Sequence, residues 1–321
     1  MRGGEVRAIC YGSYGDADQL YMGEQQLLCP QPHEVVTRVA AAAVNPIDWK
    51  LRKGQARLIY PLKFPVTPGY DFCGTILGCG EKVRDFAPGD RVCGMSDQRA
   101  GGAFAECCLC SADALAKVPD GMPDEEAAGL PLAGLTALQG LRDHGKFEAG
   151  MRVMIIGASG GVGHLAVQIA ARRGGRVTAV CGPGNQDWVG GLGAEAVLNY
   201  HDKNWLEKAG TFDLIFDAVG SVGFRAARAH LVIGGSYVCT LPGAAIFMDQ
   251  WLRAPLHRRR ARTFLAKPSG DDLRELIADW VAERLRVRVE RVYDWQDFGE
   301  AFARSESGHA RGKIVLRVDG A

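Results

Sequence analysis

Two rhythms of apolar and polar positions divide the chain. From residue 6 to residue 120, short β-like runs alternate with turns, at 6–10, 34–41, 74–79, 91–94, 103–110 and 116–118. Pro30, Pro32, the Pro65-Val66-Thr67-Pro68-Gly69 stretch and Pro88-Gly89-Asp90 punctuate them. This pattern predicts a β-rich domain of barrel or sandwich character. Residues 124–145 turn helical, with an acidic start at Asp124-Glu125-Glu126 and apolar residues following through Leu141. Strands near 152–156, 176–180, 196–198, 213–217 and 236–240 come next and predict an α/β, doubly wound parallel sheet. The tail is mixed, with a strand near 262–266, a helix near 271–284 and β-runs at 286–292 and 313–318. No internal repeat or low-complexity linker interrupts the chain.

The most informative stretch is 151–181. An apolar run at 153–156 leads into GASGGVG, residues 157–163. A helix-period pattern follows on Val162, Leu165, Ala166, Ile169 and Ala170, and a second short run closes the unit at 177–180. Strand, glycine turn, helix and strand in about thirty residues is the context in which such a motif carries meaning. The motif reads AxGxxG on Ala158, Gly160 and Gly163, with Ser159, Gly161 and Val162 between them. Small residues permit the tight turn and let backbone N–H groups approach a pyrophosphate at a helix N-terminus. The stretch predicts a dinucleotide site.

The end of the second strand bears on which dinucleotide. An acidic residue there holds the ribose 2′-OH in NAD binders. Here the strand runs Ala179-Val180-Cys181-Gly182, followed by Pro183, Gly184 and Asn185. With no carboxylate to repel a 2′-phosphate, NADP (NADPH) is the expected cofactor. Asn185 and Tyr200 are candidates to hydrogen-bond it, and Arg172 or Arg173 to supply charge. The ends of the fourth and fifth strands, at Val219 and Leu241, stand where ligands bind in such sheets.

Composition narrows the remaining classes. The 321 residues are 47% hydrophobic and 23% charged with net charge +1, as expected of a globular chain without nucleic-acid or membrane partners. The run His257-Arg258-Arg259-Arg260-Ala261-Arg262 reads as a solvated basic face. No stretch is long and apolar enough for a membrane span, and MRGGEVRAIC lacks the apolar core of a secretion signal. Ten scattered cysteines fit reduced thiols in a cytoplasmic protein.

Several further motifs carry a resemblance over nearly the whole length. They are Val44-Asn45-Pro46-Ile47-Asp48-Trp49-Lys50, Pro68-Gly69-Tyr70-Asp71-Phe72-Cys73-Gly74 and Pro88-Gly89-Asp90-Arg91-Val92. Leu130-Pro131-Leu132-Ala133-Gly134-Leu135-Thr136-Ala137, the glycine turn and Gly308-His309-Ala310-Arg311-Gly312-Lys313 complete the set. The chain resembles the medium-chain dehydrogenase/reductase superfamily, in its zinc-independent quinone oxidoreductase branch. That resemblance implies a GroES-like catalytic domain over 1–123 and 259–321, and a Rossmann domain over 124–258. It also implies a substrate cleft between them and a homodimer formed through edge strands of the Rossmann sheet.

Zinc-using members of the superfamily place Cys where this chain has Asn45, and a His-Glu pair where it has Tyr70-Asp71. An amide and a phenol cannot replace the thiolate and imidazole of a tetrahedral zinc site. Cys107 and Cys108 are adjacent on one strand and face opposite ways, which does not make the four-cysteine lobe of those relatives. No metal is expected. The resemblance further implies that Asn45 faces the nicotinamide and the acceptor carbonyl, with Asp48 fixing its loop. Thr136 would reach the cofactor, and Arg311 and Lys313 its phosphates. Lys50 is a candidate for holding a developing enolate or quinol oxygen or donating a proton, and Tyr70 for donating a proton. Plainer readings are open: Asp48 a turn residue, Lys50, Arg311 and Lys313 solvated charges, Tyr70 packing, Thr136 bonded to its own helix.

The expected function is an NADPH-dependent oxidoreductase transferring hydride to a quinone or an α,β-unsaturated carbonyl. An enoyl-thioester reductase acting on acyl carrier protein or CoA substrates is the nearest enzymatic alternative. An NADPH-binding protein without turnover is the alternative outside catalysis.

Overall fold

A computed structural model describes residues 4–27 and 29–318. Among the described residues, fifteen strands run in chain order. The first seven are β1 (Gly4–Tyr11), β2 (Leu20–Leu27), β3 (Glu34–Val44), β4 (Asp71–Cys79), β5 (Arg91–Met95), β6 (Cys107–Ser111) and β7 (Leu115–Lys117). Next come β8 (Arg152–Ile156), β9 (Arg176–Cys181), β10 (Ala196–Asn199), β11 (Phe212–Asp217), β12 (Leu231–Cys239) and β13 (Arg260–Thr263). The last two are β14 (Val289–Asp294) and β15 (Lys313–Arg317). Four helices matter for the site: α1 (Pro46–Arg52), α2 (Asp124–Gly129), α3 (Pro131–Gln139) and α4 (Gly161–Arg172).

The chain divides into two compact units. The first comprises Met1–Leu132, Pro268–Val281 and Val287–Ala321. Its main sheet runs β14-β15-β3-β4-β5-β7, with β6 on β3, and β1 and β2 form a separate hairpin. Phe72 and Ile76 of β4, Val35 and Val39 of β3, and Trp295 and Phe302 near the chain end share one buried cluster. Its β-rich character follows from the short, turn-punctuated runs of the N-terminal sequence.

The second unit comprises Ala133–Lys267 and Ala282–Arg286. Its six strands are parallel, in the order β10-β9-β8-β11-β12-β13. Renumbered within the sheet this is 3-2-1-4-5-6, the doubly wound dinucleotide-binding order, with its switch point between β8 and β11. The short return segment belongs here because the Gln168 side chain grips it. Gln168 Nε2 donates to the Arg286 carbonyl at 3.0 Å, and the Arg286 N–H donates to Gln168 Oε1 at 2.8 Å.

Three features differ from the sequence expectation. The helical stretch 124–145 is broken at Pro131, which has no N–H to continue α2 and so begins α3; a π-helical turn, Gly140–His144, follows. The acidic start of that stretch binds α2 to the first unit, not the second. Asp124 pairs with Arg91 at 2.6 Å, and Glu126 accepts the Trp280 indole N–H at 2.8 Å. The strand expected near 262–266 lies at Arg260–Thr263 and joins β12 in the parallel sheet, with Ser236 opposite Arg260. The first unit therefore keeps residues 124–132, and the second runs on to Lys267.

Candidate active site

In the first unit, strand register gathers residues distant in sequence. Ala43 pairs with Asp71, and Val44 pairs with Ile314, so the ends of β3, β4 and β15 meet. Asn45 follows β3 in an extended conformation, as a residue before proline must, and Pro46 opens α1 at the position where a missing N–H costs nothing. Three residues on, Asp48 Oδ2 accepts the Asn45 N–H at 2.7 Å.

The side chains close into a buried network. Asn45 Nδ2 donates to Asp71 Oδ2 at 2.9 Å and to the Ala43 carbonyl at 3.0 Å. Lys313 Nζ donates to Asn45 Oδ1 at 2.6 Å and to Asp71 Oδ2 at 3.1 Å. The other Asp71 oxygen accepts the Leu132 N–H in the first turn of α3 at 2.6 Å. Asp71 is fully buried and Lys313 only 3% exposed. Burial raises the Asp71 carboxyl, against the pull of Lys313, the Asn45 amide and the Leu132 N–H.

This arrangement corrects one expectation and redirects two. Lys313 does not reach for cofactor phosphates; a lysine this buried needs a counter-charge, and Asp71 supplies it. Asn45 has both amide hydrogens committed within the network, so it acts first as a joint between β4 and β15. The Tyr70 hydroxyl donates to the Arg99 carbonyl at 2.9 Å, the same carbonyl that accepts Tyr60 at 2.6 Å. Burial raises the Tyr70 phenol, and the neighbouring Tyr60 and Asp48 add to the rise. Its proton is held on backbone and is hard to release. Lys50 on α1 is half-buried with Nζ 5.4 Å from the centre of the Trp49 ring, a cation–π distance. Arg311 is exposed.

No group of three His, Cys, Asp or Glu side chains among the described residues is placed to hold a metal ion. The donors at the positions of the relatives' zinc ligands are an amide, a phenol and a lysine-paired carboxylate, a set that does not suit zinc. Cys108 and Cys110 lie together in the core of the first unit. Burial pushes the Cys108 thiol up to about 12 and Cys110 well above its ordinary value, away from the thiolate a metal needs.

In the second unit the glycine turn is built as its sequence predicts. Gly157 ends β8 at φ 78°, a left-handed conformation that favours glycine. A Cβ on Gly163 would lie 2.0 Å from the Gly157 carbonyl oxygen, so only glycine lets α4 pack this close to the turn. Gly160 caps α4 without a side chain, and no acidic residue stands in the first turn. The turn thus presents Ser159, Gly161 and Val162 backbone at a helix N-terminus, with Ala158 buried beneath. These residues fit a dinucleotide pyrophosphate.

The other expected cofactor residues fall around the carboxyl ends of the strands. Val219 meets the turn itself, where a Cβ on Gly157 would come within 2.7 Å of its side chain. Leu241 stands beside Gly220. Asn185 is nearly buried and accepts the Trp188 indole N–H at 3.2 Å, and Thr136 is buried on α3. Tyr200 is 44% exposed, and its hydroxyl occupies the space beside Gly182: a Cβ there would meet it at 2.7 Å.

Asp217 was not among the sequence candidates. Fully buried at the end of β11, it accepts the N–H groups of Val219, Gly220, Ser221 and Val222 at 2.7–3.4 Å and the Tyr237 hydroxyl at 2.9 Å. It thereby shapes the turn facing the glycine motif across the switch point. An aspartate closing an apolar run just before Val219-Gly220 was the available signal.

Known proteins agree with this architecture. A family model described as "Alcohol dehydrogenase GroES-like domain" matches residues 31–120, and one described as "Zinc-binding dehydrogenase" matches 192–316. The chloroplast envelope quinone oxidoreductase homolog of Arabidopsis thaliana is 30% identical, over 98% of this chain and 99% of its own. The 2-methylene-furan-3-one reductase of Solanum lycopersicum is also 30% identical, over 97% of this chain and 79% of its own. Among solved structures, the quinone oxidoreductase from Coxiella burnetii superposes with a TM-score of 0.89 at 29% identity, covering 98% of this chain and 100% of that one. No helix among the described residues is long and apolar enough to cross a membrane. Members of this family bind nicotinamide cofactors, consistent with the glycine turn. The chain belongs to the medium-chain dehydrogenase/reductase superfamily, in its quinone oxidoreductase branch, and is an oxidoreductase.

Proposed function

We propose that this protein is an NADPH-dependent reductase of quinones or α,β-unsaturated carbonyls that works without zinc. The observation that carries the reading is the closed Asn45–Asp71–Lys313 network. It occupies the positions of the relatives' zinc ligands with groups already bonded to one another. Quinones and enones accept hydride without a strong Lewis acid, so they suit such a site. The names of the Arabidopsis and tomato relatives point to the same acceptor classes.

Bound NADPH would supply the hydride. The chain's part is to hold it and to stabilise the product oxygen. The uncapped start of α4 meets the pyrophosphate, and the absence of a carboxylate after β9 admits a 2′-phosphate. The Tyr200 hydroxyl, beside Gly182, would hydrogen-bond that phosphate. On α1, Lys50 supplies the cation for the developing enolate or quinol oxygen. We also infer a homodimer, since among the described residues β13 pairs only with β12 and stands as an open edge of the parallel sheet.

The test is oxidation of NADPH and, in parallel, NADH, with para-quinones, simple enones and a short enoyl-CoA as acceptors. Turnover with NADPH and a quinone or enone is expected, and Lys50→Met should lower it about tenfold or more while Lys50→Arg retains more. A dominant preference for enoyl-CoA would move the protein to thioester reduction. Cofactor binding without turnover of any acceptor would overturn the catalytic reading.

A further inference from the structure

The buried network holds two carboxyl groups and one cation. Asp71 is satisfied at both oxygens, by the Leu132 N–H on one side and by Asn45 and Lys313 on the other. Asp48 is not. It is 1% exposed; Oδ2 accepts the Asn45 N–H, and Oδ1 has no hydrogen-bond partner. A naked carboxylate oxygen in the interior is among the costlier arrangements a fold can contain. A protonated carboxyl lowers that cost, because the charge is gone.

The charges around it favour the same state. Asp71 on β4 repels an ionised Asp48, and Lys313 on β15 attracts it but is already bonded to Asp71 and Asn45. Tyr70, just before β4, and Tyr11, on β1, both sense the Asp48 charge. We propose that Asp48 is a positioning residue, carried as a neutral carboxylic acid, whose proton keeps Lys313 committed to Asn45 and Asp71 and so keeps Asn45 in place. Loss of that proton gives Lys313 a second buried carboxylate to neutralise, and Asn45 loses its Lys313 bond. Burial, the largest influence, together with Asp71 pushes the Asp48 carboxyl up to about 8, against the Asn45 N–H, Lys313 and, least, the Gly69 N–H, which lies outside hydrogen-bond geometry. The inference concerns the state of Asp48 itself; its effect on turnover rests on the function proposed above.

The experiment uses the whole protein labelled with carbon-13 at the aspartate carboxyl and titrated by NMR from about pH 6 to about pH 10. One aspartate signal is expected to titrate near the value given above and to vanish in Asp48→Asn, whose amide imitates the neutral acid. In Asp71→Asn, which removes the repelling charge, the signal should titrate at lower pH. In parallel, kcat/KM for NADPH-dependent quinone reduction should fall about tenfold per pH unit on the alkaline side in the wild type, and that limb should flatten in Asp48→Asn. No aspartate titrating above neutrality would overturn the proposal without bearing on the activity. An alkaline limb unchanged in Asp48→Asn would overturn the positioning role. Absence of any turnover, with the signal present, would instead count against the proposed function. Should Asp48→Asn not fold, the wild-type signal and its shift in Asp71→Asn still decide the charge state.

Discussion

The cofactor turn of the second unit and the polar network of the first are built by opposite means. The turn is backbone: seven consecutive residues, glycine where a Cβ would collide, and a helix start left bare. The network is side chain: Asn45 with Asp48, Asp71 and Lys313 come from three segments, and Lys313 lies 268 residues from Asn45. A backbone site tolerates change where no atom is crowded and fails where charge or bulk meets the ligand. A buried side-chain network fails as a unit, because Asn45, Asp71 and Lys313 each satisfy the others.

Substitutions can break this contrast. The largest effect is expected from Asp71→Ala, which strands Lys313 in the interior and frees the start of α3. Breaking a buried pair in this way costs about 3–5 kcal/mol, measurable as a lower urea midpoint. Gly160→Asp should do the reverse, since the nearest atom to a new Cβ is 3.4 Å away and the fold should survive. Its carboxylate would face the pyrophosphate, and NADPH affinity should fall about a hundredfold, or roughly 2.7 kcal/mol, by titration calorimetry. Retained affinity would remove the turn from the binding site.

The pH dependence of stability sharpens the same contrast. A carboxyl raised on folding binds its proton more tightly in the native state, so its contribution is full below the ordinary value of 3.8 and declines as pH rises toward about 8. Thermal melts should show Asp48→Asn gaining on the wild type across that window, by at most about 1.4 kcal/mol per pH unit. Parallel curves would mean Asp48 is ionised when folded. The smallest effect is expected from Tyr200→Phe, which should weaken NADPH by about fivefold, roughly 1 kcal/mol, and leave NADH unchanged. Equal loss for both cofactors would separate Tyr200 from the 2′-phosphate.

The two regions were also unequally legible in the sequence. The parallel sheet and its glycine turn could be read because each signal sits within one short window: apolar run, glycines, helical period. The resemblance implies a phosphate contact for Lys313, and its neighbours in sequence, Arg311 and Gly312, say nothing of Asp71. Only the register of β15 on β3 and of β3 on β4 brings them together. The domain boundary was displaced for a related reason. Asp124 and Glu126 read as an ordinary acidic helix start, whereas Arg91 and Trp280 use them to fasten α2 to the first unit. Gly182 shows the same limit at smaller scale. A side chain there would meet the Tyr200 hydroxyl, which the residues next to Gly182 in sequence do not foretell.

Strand order also bears on the sequence of events during synthesis. β15 lies between β14 and β3 in the main sheet of the first unit, yet among the described strands it is the last to be made. The second unit is complete once Arg286 has emerged, while the first still lacks β14, β15 and the lysine that neutralises Asp71. Domains fold as units while the chain lengthens. The second unit can therefore mature on the ribosome while the first waits for β14 and β15.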